Sequence, residues 1–363
     1  MGRMRGEVLL LGSVPLASVD EVFRACAREV GPYVSALPDG EVGERTYWIF
    51  YLQTRTYLQH PDLEAVTAPH GGRAVQPERG APESERQAAH STFRIRPGVA
   101  SFTFPDLHYA SEAVASYRTF RDLRAQGVIP SGVRFQVCLP TTAAAIVMFF
   151  AEPADWPAAY AAYQDAIRRE IDRMLEHIPA GDLVIQWDIA TEVRDLAAGA
   201  ARVVEWAPEQ TPEEKWRRHT ADLSALSGGI PEETLLGYHF CYGTWGGWPH
   251  SHVPDMELCT RLANEAVARA GRTVDYVHLP VMPDAGEGFF EPLTGLRIGD
   301  ARPYLGLVLD DGVAAFRRRV AGVRRHLPDF GIASYCGFGR LSTEEVPGKL
   351  AALRECAEAL TGS

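Results

Sequence analysis

A histidine and a cysteine two residues apart, in His239-Phe240-Cys241, sit inside the run LLGYHFCY (235–242), and another cysteine, Cys336, closes the run GIASYC (331–336). Both runs have the β-branched and aromatic character of strands. Side chains alternate along a strand, so residues i and i+2 face the same side, and His239 and Cys241 can share one metal ion. Imidazole nitrogen with thiolate sulfur suits zinc, whose catalytic sites use three protein ligands and keep a position for water or substrate. A His-x-Cys alone reads as a packed histidine beside a buried thiol. Cys336, arriving from the end of another strand, is what favours a metal.

Such donors need a scaffold that brings distant segments to one rim. Short β-rich runs alternate with amphipathic helical stretches through almost the whole chain, the pattern of a parallel sheet with crossover helices. Eight runs read as strands: EVLLLG (7–12), YVSAL (33–37), VRFQVCL (133–139), LVIQWDI (183–189), LLGYHFCY (235–242), DYVHLPV (275–281), YLGLVL (304–309) and GIASYC (331–336). Helical periodicity fills 19–30, 155–178, 255–271, 312–326 and 343–360, the last opened by the polar first turn Ser342-Thr343-Glu344-Glu345. Together they predict a single-domain (β/α)8 TIM barrel over 1–363, with an open doubly wound sheet as the competing arrangement. The interval 60–130 reads as an insertion between the second and third strands, and its first half, Pro69 to Gly98, has the composition of a long mobile loop. Long loops at this place on a barrel tend to be lids.

Barrel active sites are built at the C-terminal ends of the strands. Here those ends carry Gly12-Ser13, Pro38-Asp39-Gly40-Glu41, Leu139-Pro140-Thr141-Thr142, Trp187-Asp188, His239-Phe240-Cys241, His278, Asp310-Asp311 and Cys336-Gly337. Thr141 is a candidate substrate contact. After the fifth strand comes GTWGGWPHSH, in which Trp245 and Trp248 offer a substrate wall and His250 and His252 offer proton carriers, exposed loop histidines being the plainer reading. Arg340 reads either as a contact for a substrate anion or as a salt bridge closing the rim. The segment RTYWIFYLQTRTY (45–57) holds five aromatic residues, which core packing or a subunit contact in a homo-oligomer would explain.

Bulk properties narrow the ligand class. A net charge of −11 argues against nucleic acid or anionic membrane as a partner, since both need clustered Lys and Arg, and leaves a small polar molecule. The N-terminal apolar run Val8 to Leu11 is too short for a signal core or a membrane span, so a cytoplasmic protein is expected. Cys26, Cys138, Cys241, Cys259, Cys336 and Cys356 lack the dense spacing of a disulfide scaffold and read as thiols or metal ligands.

The chain resembles the cobalamin-independent methionine synthases in their catalytic C-terminal barrel, a fold related to that of uroporphyrinogen decarboxylase. The resemblance is dispersed over the whole chain and rests on LLGSVP (10–15), DGEVGER (39–45), LPTTAAAIVMFF (139–150), IQWDIA (185–190), YHFCYG (238–243) and YCGFGR (335–340). It implies zinc on His239, Cys241 and Cys336. It also implies a pocket for the amino acid part of a thiol substrate lined by Ser13, Glu41 and Asp188, the two acids facing an ammonium group and Ser13 a carboxylate. Where the family has a glutamate ligand this chain has His278, either a fourth ligand or a support behind the others, with Glu287 and Glu291 as substitute oxygen ligands. Met148 stands where the family has a tryptophan, which removes an aromatic platform for folate.

The implied activity is zinc-dependent transfer of a methyl or other alkyl group between a donor and a thiol, with Asp188, Glu41 and His250 as candidate catalytic groups. A zinc-dependent lyase or hydrolase on the same barrel is the competing enzyme reading, because scaffolds of this kind host many reactions. A closed four-ligand site would instead make a non-catalytic zinc or thiol-binding protein.

Overall fold

The computed structural model describes residue 4 and residues 6–67, 90–244 and 247–362. In chain order its strands are β1 (Ala36–Pro38), β2 (Leu63–Thr67), β3 (Thr92–Ile95), β4 (Arg134–Pro140), β5 (Leu183–Ile189), β6 (Leu235–Phe240), β7 (Tyr276–Pro280), β8 (Arg302–Val308) and β9 (Gly331–Ser334). The principal helices are α1 (Val19–Val30), α2 (Tyr109–Ala125), α3 (Thr142–Val147), α4 (Trp156–His177), α5 (Thr191–Ala197), α6 (Pro212–Leu226), α7 (Glu257–Arg269), α8 (Gly312–Arg324) and α9 (Val346–Thr361). Seven strands form one curled, wholly parallel sheet in the order β1-β4-β5-β6-β7-β8-β9. The chain is thus an α/β fold in which helices cross over between successive parallel strands.

The first expected strand is not a regular one. Val8 makes single parallel bridges to Val34 on one side and Ile332 on the other, backed by hydrogen bonds from Val8 N to the Tyr33 carbonyl and from Leu9 N to the Ile332 carbonyl, both 2.9 Å. Further along, Val14 N donates to the Gly40 carbonyl and Phe338 N to the Ser13 carbonyl. The segment therefore touches both edges of the sheet at both ends. Between those contacts Gly12 turns with φ of +114°, a conformation that favours glycine and stops a ladder from lengthening.

Side-chain alternation sorts this segment as it sorts the strands. Val8 and Leu10 join the large core between sheet and helices, whereas Leu9 and Leu11 join a small inner cluster with Ala36, Val184, Leu235, Tyr276, Tyr304 and Ala333. Above that cluster the interior turns polar. Gln136 Nε2 donates to Gln186 Oε1 (3.1 Å) and the Tyr276 hydroxyl to the same oxygen (3.0 Å), while Gln186 Nε2 donates to Asp188 Oδ1 (2.9 Å). Gly237 makes room for the Tyr276 ring, since a Cβ there would lie 2.1 Å from its Cζ.

The interval 60–130 departs from its expected form in two ways. β2 and β3 pair antiparallel as a hairpin, so Thr92–Ile95 is strand where a loop is expected, and a bridge from Phe93 to Phe150 ties the hairpin to the loop after α3. Residues 68–89, the greater part of the expected loop, lie outside the described residues. α2 was not expected, yet it packs against α1 and α4 and buries Ala110, Ala113, Tyr117, Phe120 and Leu123, an i, i+3, i+4 stripe made of small and aromatic residues. The aromatic segment 45–57 is not one helix. It passes through a 3-10 turn at Gly43–Tyr47, a helical turn at Phe50–Leu52 and a π turn at Gln53–Tyr57. Ile49, Phe50, Tyr51, Leu52 and Tyr57 are buried in the main core, which accounts for its aromatic content by packing. Among the described residues no helix is long and apolar enough to cross a membrane.

Candidate metal centre and substrate pocket

Parallel register sets the site. Asp188 on β5 is the Cα partner of His239 on β6, which is the partner of His278 on β7, so the three inward side chains stand side by side at one level. Cys241 follows His239 by two residues, just beyond β6, and Cys336 lies just beyond β9. Curling of the sheet brings these ends together. Cys241 Sγ lies 3.5 Å from Cys336 Sγ, and Cys336 Sγ lies 3.8 Å from His239 Nε2. All three donor atoms lie within 4.8 Å of one another.

The donor set fits zinc. A tetrahedral ion about 2.3 Å from sulfur and about 2.0 Å from nitrogen has a sulfur–sulfur edge of roughly 3.8 Å and a sulfur–nitrogen edge of roughly 3.5 Å, close to the 3.5 and 3.8 Å found here. Gly243 N donates to Cys241 Sγ at 3.3 Å, an amide contact that suits a thiolate. The Cys336 pKa is raised well above the usual thiol value by its hydrogen bond with Cys241 and by burial, partly offset by the Gly337 amide and the Arg340 charge, a preference for the thiol. A cation bound here reverses that preference, because coordination stabilises thiolate.

His278 does not join the cluster. Its Nε2 lies 3.1 Å from the Ser334 carbonyl, which can only accept, so Nε2 carries the proton. The bare Nδ1 then accepts from His239 Nδ1 at 2.8 Å, leaving His239 Nε2 as a lone pair aimed toward the sulfurs. Burial keeps both rings neutral, pushing His278 down to about 3 and His239 well below its ordinary value, with its neighbour His278 adding to the effect. Of the two expected roles for His278, fourth ligand or support behind the others, this arrangement favours the second: both ring nitrogens have partners, one of them the histidine that faces the cluster. Glu287 points away as well, pairing with Arg325 at 2.8 Å on the exposed surface.

A pocket of about 120 Å³ opens onto the cluster, lined among others by Ser13, Trp48, Phe50, Met148, Asp188 and Arg194 besides the three donors. Trp48 and Phe50 come from the aromatic segment 45–57 and supply a wall that the sequence reading had not placed. Beside the pocket, Glu41, Cys138 and Asp188 offer donor atoms within 4.8 Å of one another. Burial raises the Glu41 pKa to about 7, opposed by the Ser13 hydroxyl that donates to Oε2 and by Arg45, and reinforced by Asp39. Asp188 is raised well above the usual carboxyl value by burial first and by Glu41 second, against the hydrogen bond from Gln186. Asp39 is the exception: its bidentate pair with Arg45, at 3.2 and 2.7 Å, outweighs burial and holds it low.

The remaining candidates divide. Arg340 lines the pocket, its Nε 3.5 Å from Thr244 Oγ1. Thr141 does not line it: its hydroxyl caps α3 by accepting from Ala144 N. His250 does not line it either; the residue is exposed, and its Nε2 accepts from Arg194 Nη2 at 3.1 Å. His252 is exposed and faces Asp284 at 3.4 Å. Trp248 stacks on Tyr335 with ring centres 4.5 Å apart, whereas Trp245 lies outside the described residues. Arg194, one turn into α5 after the strand that carries Asp188, was not foreseen; an arginine in an amphipathic stretch reads as surface.

No family model matches the chain, and no curated protein matches it. Among solved structures the fold is similar to a B12-independent methionine synthase from Shewanella sp. W3-18-1 in complex with selenomethionine, with a TM-score of 0.60 over 99% of this chain and 98% of that chain. Sequence identity is 12%, so the likeness is one of fold.

Proposed function

We propose that this chain transfers a methyl or other alkyl group to or from a thiol substrate, with zinc held by His239, Cys241 and Cys336. The observation that carries the reading is the convergence of two sulfurs and one imidazole lone pair at the floor of a small pocket. We read the fold as a complete (β/α)8 barrel in which Glu7–Val14 takes the eighth place, and 60–130 as an insertion within it.

When bound, zinc supplies Lewis acidity that keeps a substrate thiol deprotonated near neutral pH. The chain's own residues do the rest. His278 fixes the His239 tautomer. Trp48, Phe50 and Met148 wall off water from the reacting sulfur, which favours displacement of the alkyl carrier over hydrolysis. Asp188 and Glu41 hold protons more tightly than ordinary carboxyls, and an ammonium group entering beside them would draw those protons away and leave the pair anionic. The similarity of fold to a methionine synthase is consistent with a sulfur substrate.

Zinc quantification in wild type and Cys336→Ser, joined to a mass-spectrometric screen for thiols that gain or lose a methyl group, tests this. Stoichiometric zinc in wild type, its loss in the variant, and a methylated thiol product are expected. A protein free of transition metal that still converts its substrate would overturn the reading.

A further inference from the structure

Several arginines withdrawn from solvent among the described residues are matched with acids. Arg45 meets Asp39, Arg124 meets Asp182 and Arg319 meets Asp311, each in a two-pronged contact. Arg194 has no such match. It stands in the pocket wall, and among the described residues no carboxylate lies within ion-pair distance of it. Its neighbour Asp195 turns to Lys215, Arg218 and His219 instead. What Arg194 has is weak or neutral: Met148 Sδ at 3.9 Å, His250 Nε2 at 3.1 Å, and a buried Nε with no partner.

The guanidinium is also held in place. A Cβ on Gly243 would lie 2.9 Å from Arg194 Cδ and 3.1 Å from His250 Cβ, so the arginine's stem packs on the Gly243 backbone while its Nη2 meets the His250 ring. That same Gly243 donates its amide to Cys241 Sγ, which puts the cation next to the metal-donor cluster. The Ser13 hydroxyl, the other group considered for a substrate anion, is committed to Glu41. A half-buried cation with no carboxylate at ion-pair distance costs stability unless something negative arrives.

We propose that Arg194 anchors an anionic end of the substrate, so that the pocket takes a small thiol or methyl thioether bearing a carboxylate or sulfonate and discriminates against the neutral equivalent. The sulfur end of this assignment rests on the proposed function; the anion anchor does not. Burial weakens the arginine's hold on its own proton, opposed only in part by Cys241 and Asp195. A planar guanidinium matches either oxyanion through paired hydrogen bonds.

The test is calorimetric titration of the protein as purified with 3-(methylthio)propionate and its neutral amide, in wild type, Arg194→Gln and Arg194→Lys, with melting temperatures to show that each variant folds. Wild type is expected to prefer the anion by about tenfold or more, the scale of one charge-assisted hydrogen bond. In Arg194→Gln the preference should fall to about threefold or less with the amide's affinity unchanged, and Arg194→Lys should lie between. A parallel titration of cobalt(II)-substituted protein with 3-mercaptopropionate, 2-mercaptoethanesulfonate and 3-mercaptopropionamide, read by its absorption spectrum, separates carboxylate from sulfonate and tests the metal reading on its own. Spectra that respond to no thiol, with the calorimetric preference intact, would remove the metal and keep the anchor. An equal preference in Arg194→Gln, or no binding of any anionic probe by wild type, overturns the anchor.

Discussion

Replacing Glu41 by glutamine removes a titration that burial imposes on the fold. Glutamine keeps the oxygen that accepts from Ser13, cannot ionise, and leaves the backbone contact from Glu41 N to Asp39 Oδ1 (3.1 Å) untouched. In wild type the carboxyl is raised from the ordinary 4.5 to about 7. Between those values the folded chain holds a proton that the unfolded chain has released, so stability falls as pH rises through the window. Over the full window the loss is about 3 kcal/mol. Asp188 acts in the same direction, because removing its anionic neighbour lowers its own cost of ionising. Glu192 and Asp222, also raised, slope the stability of both proteins alike, which is why the variant-minus-wild-type difference is the quantity to follow. Urea unfolding at about pH 5 and about pH 8 should give a difference that shifts by about 2–3 kcal/mol in favour of the variant from the acid end to the alkaline end. A difference that stays within about 0.5 kcal/mol across the range refutes the claim that Glu41 is a buried carboxyl kept neutral by its surroundings.

Further outcomes follow from the same geometry. His278→Phe removes the acceptor that fixes the His239 tautomer, and zinc affinity measured against a chromophoric chelator should fall about 10- to 100-fold; an unchanged affinity would mean that His239 needs no orientation. Gly237→Ala places a Cβ 2.1 Å from the Tyr276 ring, which must leave its 3.0 Å bond to Gln186. Urea unfolding should show a loss of about 3 kcal/mol or more, and a wild-type midpoint would show that the inner polar layer is dispensable.

Local pattern made much of this protein legible. Residues 183–189 and helix 19–30 are found at their expected bounds, because a run of seven apolar-dominated residues and a full amphipathic stripe each satisfy one burial environment along their whole length. Period-two alternation likewise put His239 and Cys241 on one face. It misjudged 7–12, where alternation persists but the hydrogen-bond ladder does not, since Val8 bridges once on each side and Gly12 turns away. It missed α2, whose stripe of alanine and aromatic residues is a weak apolar signal inside a polar stretch.

Distances across the sheet are not written in any local pattern. Cys336 meets His239 and Cys241 because strands separated by ninety-odd residues curl together, and only that curl gives 3.5 and 3.8 Å. The part played by His278 depends on the Ser334 carbonyl behind it, Thr141 turned out to cap a helix, and Arg194 became a pocket cation because its helix directs it to the pocket and its buried neighbour Asp195 to α6. The sequence by itself determined which residue types sit on which face of which element, since periodicity records burial one turn or one pleat at a time. Which of those faces meet, and therefore which polar groups are left without a counterpart, was decided by tertiary packing, because the curl of the sheet fixes separations between segments that share no local signal.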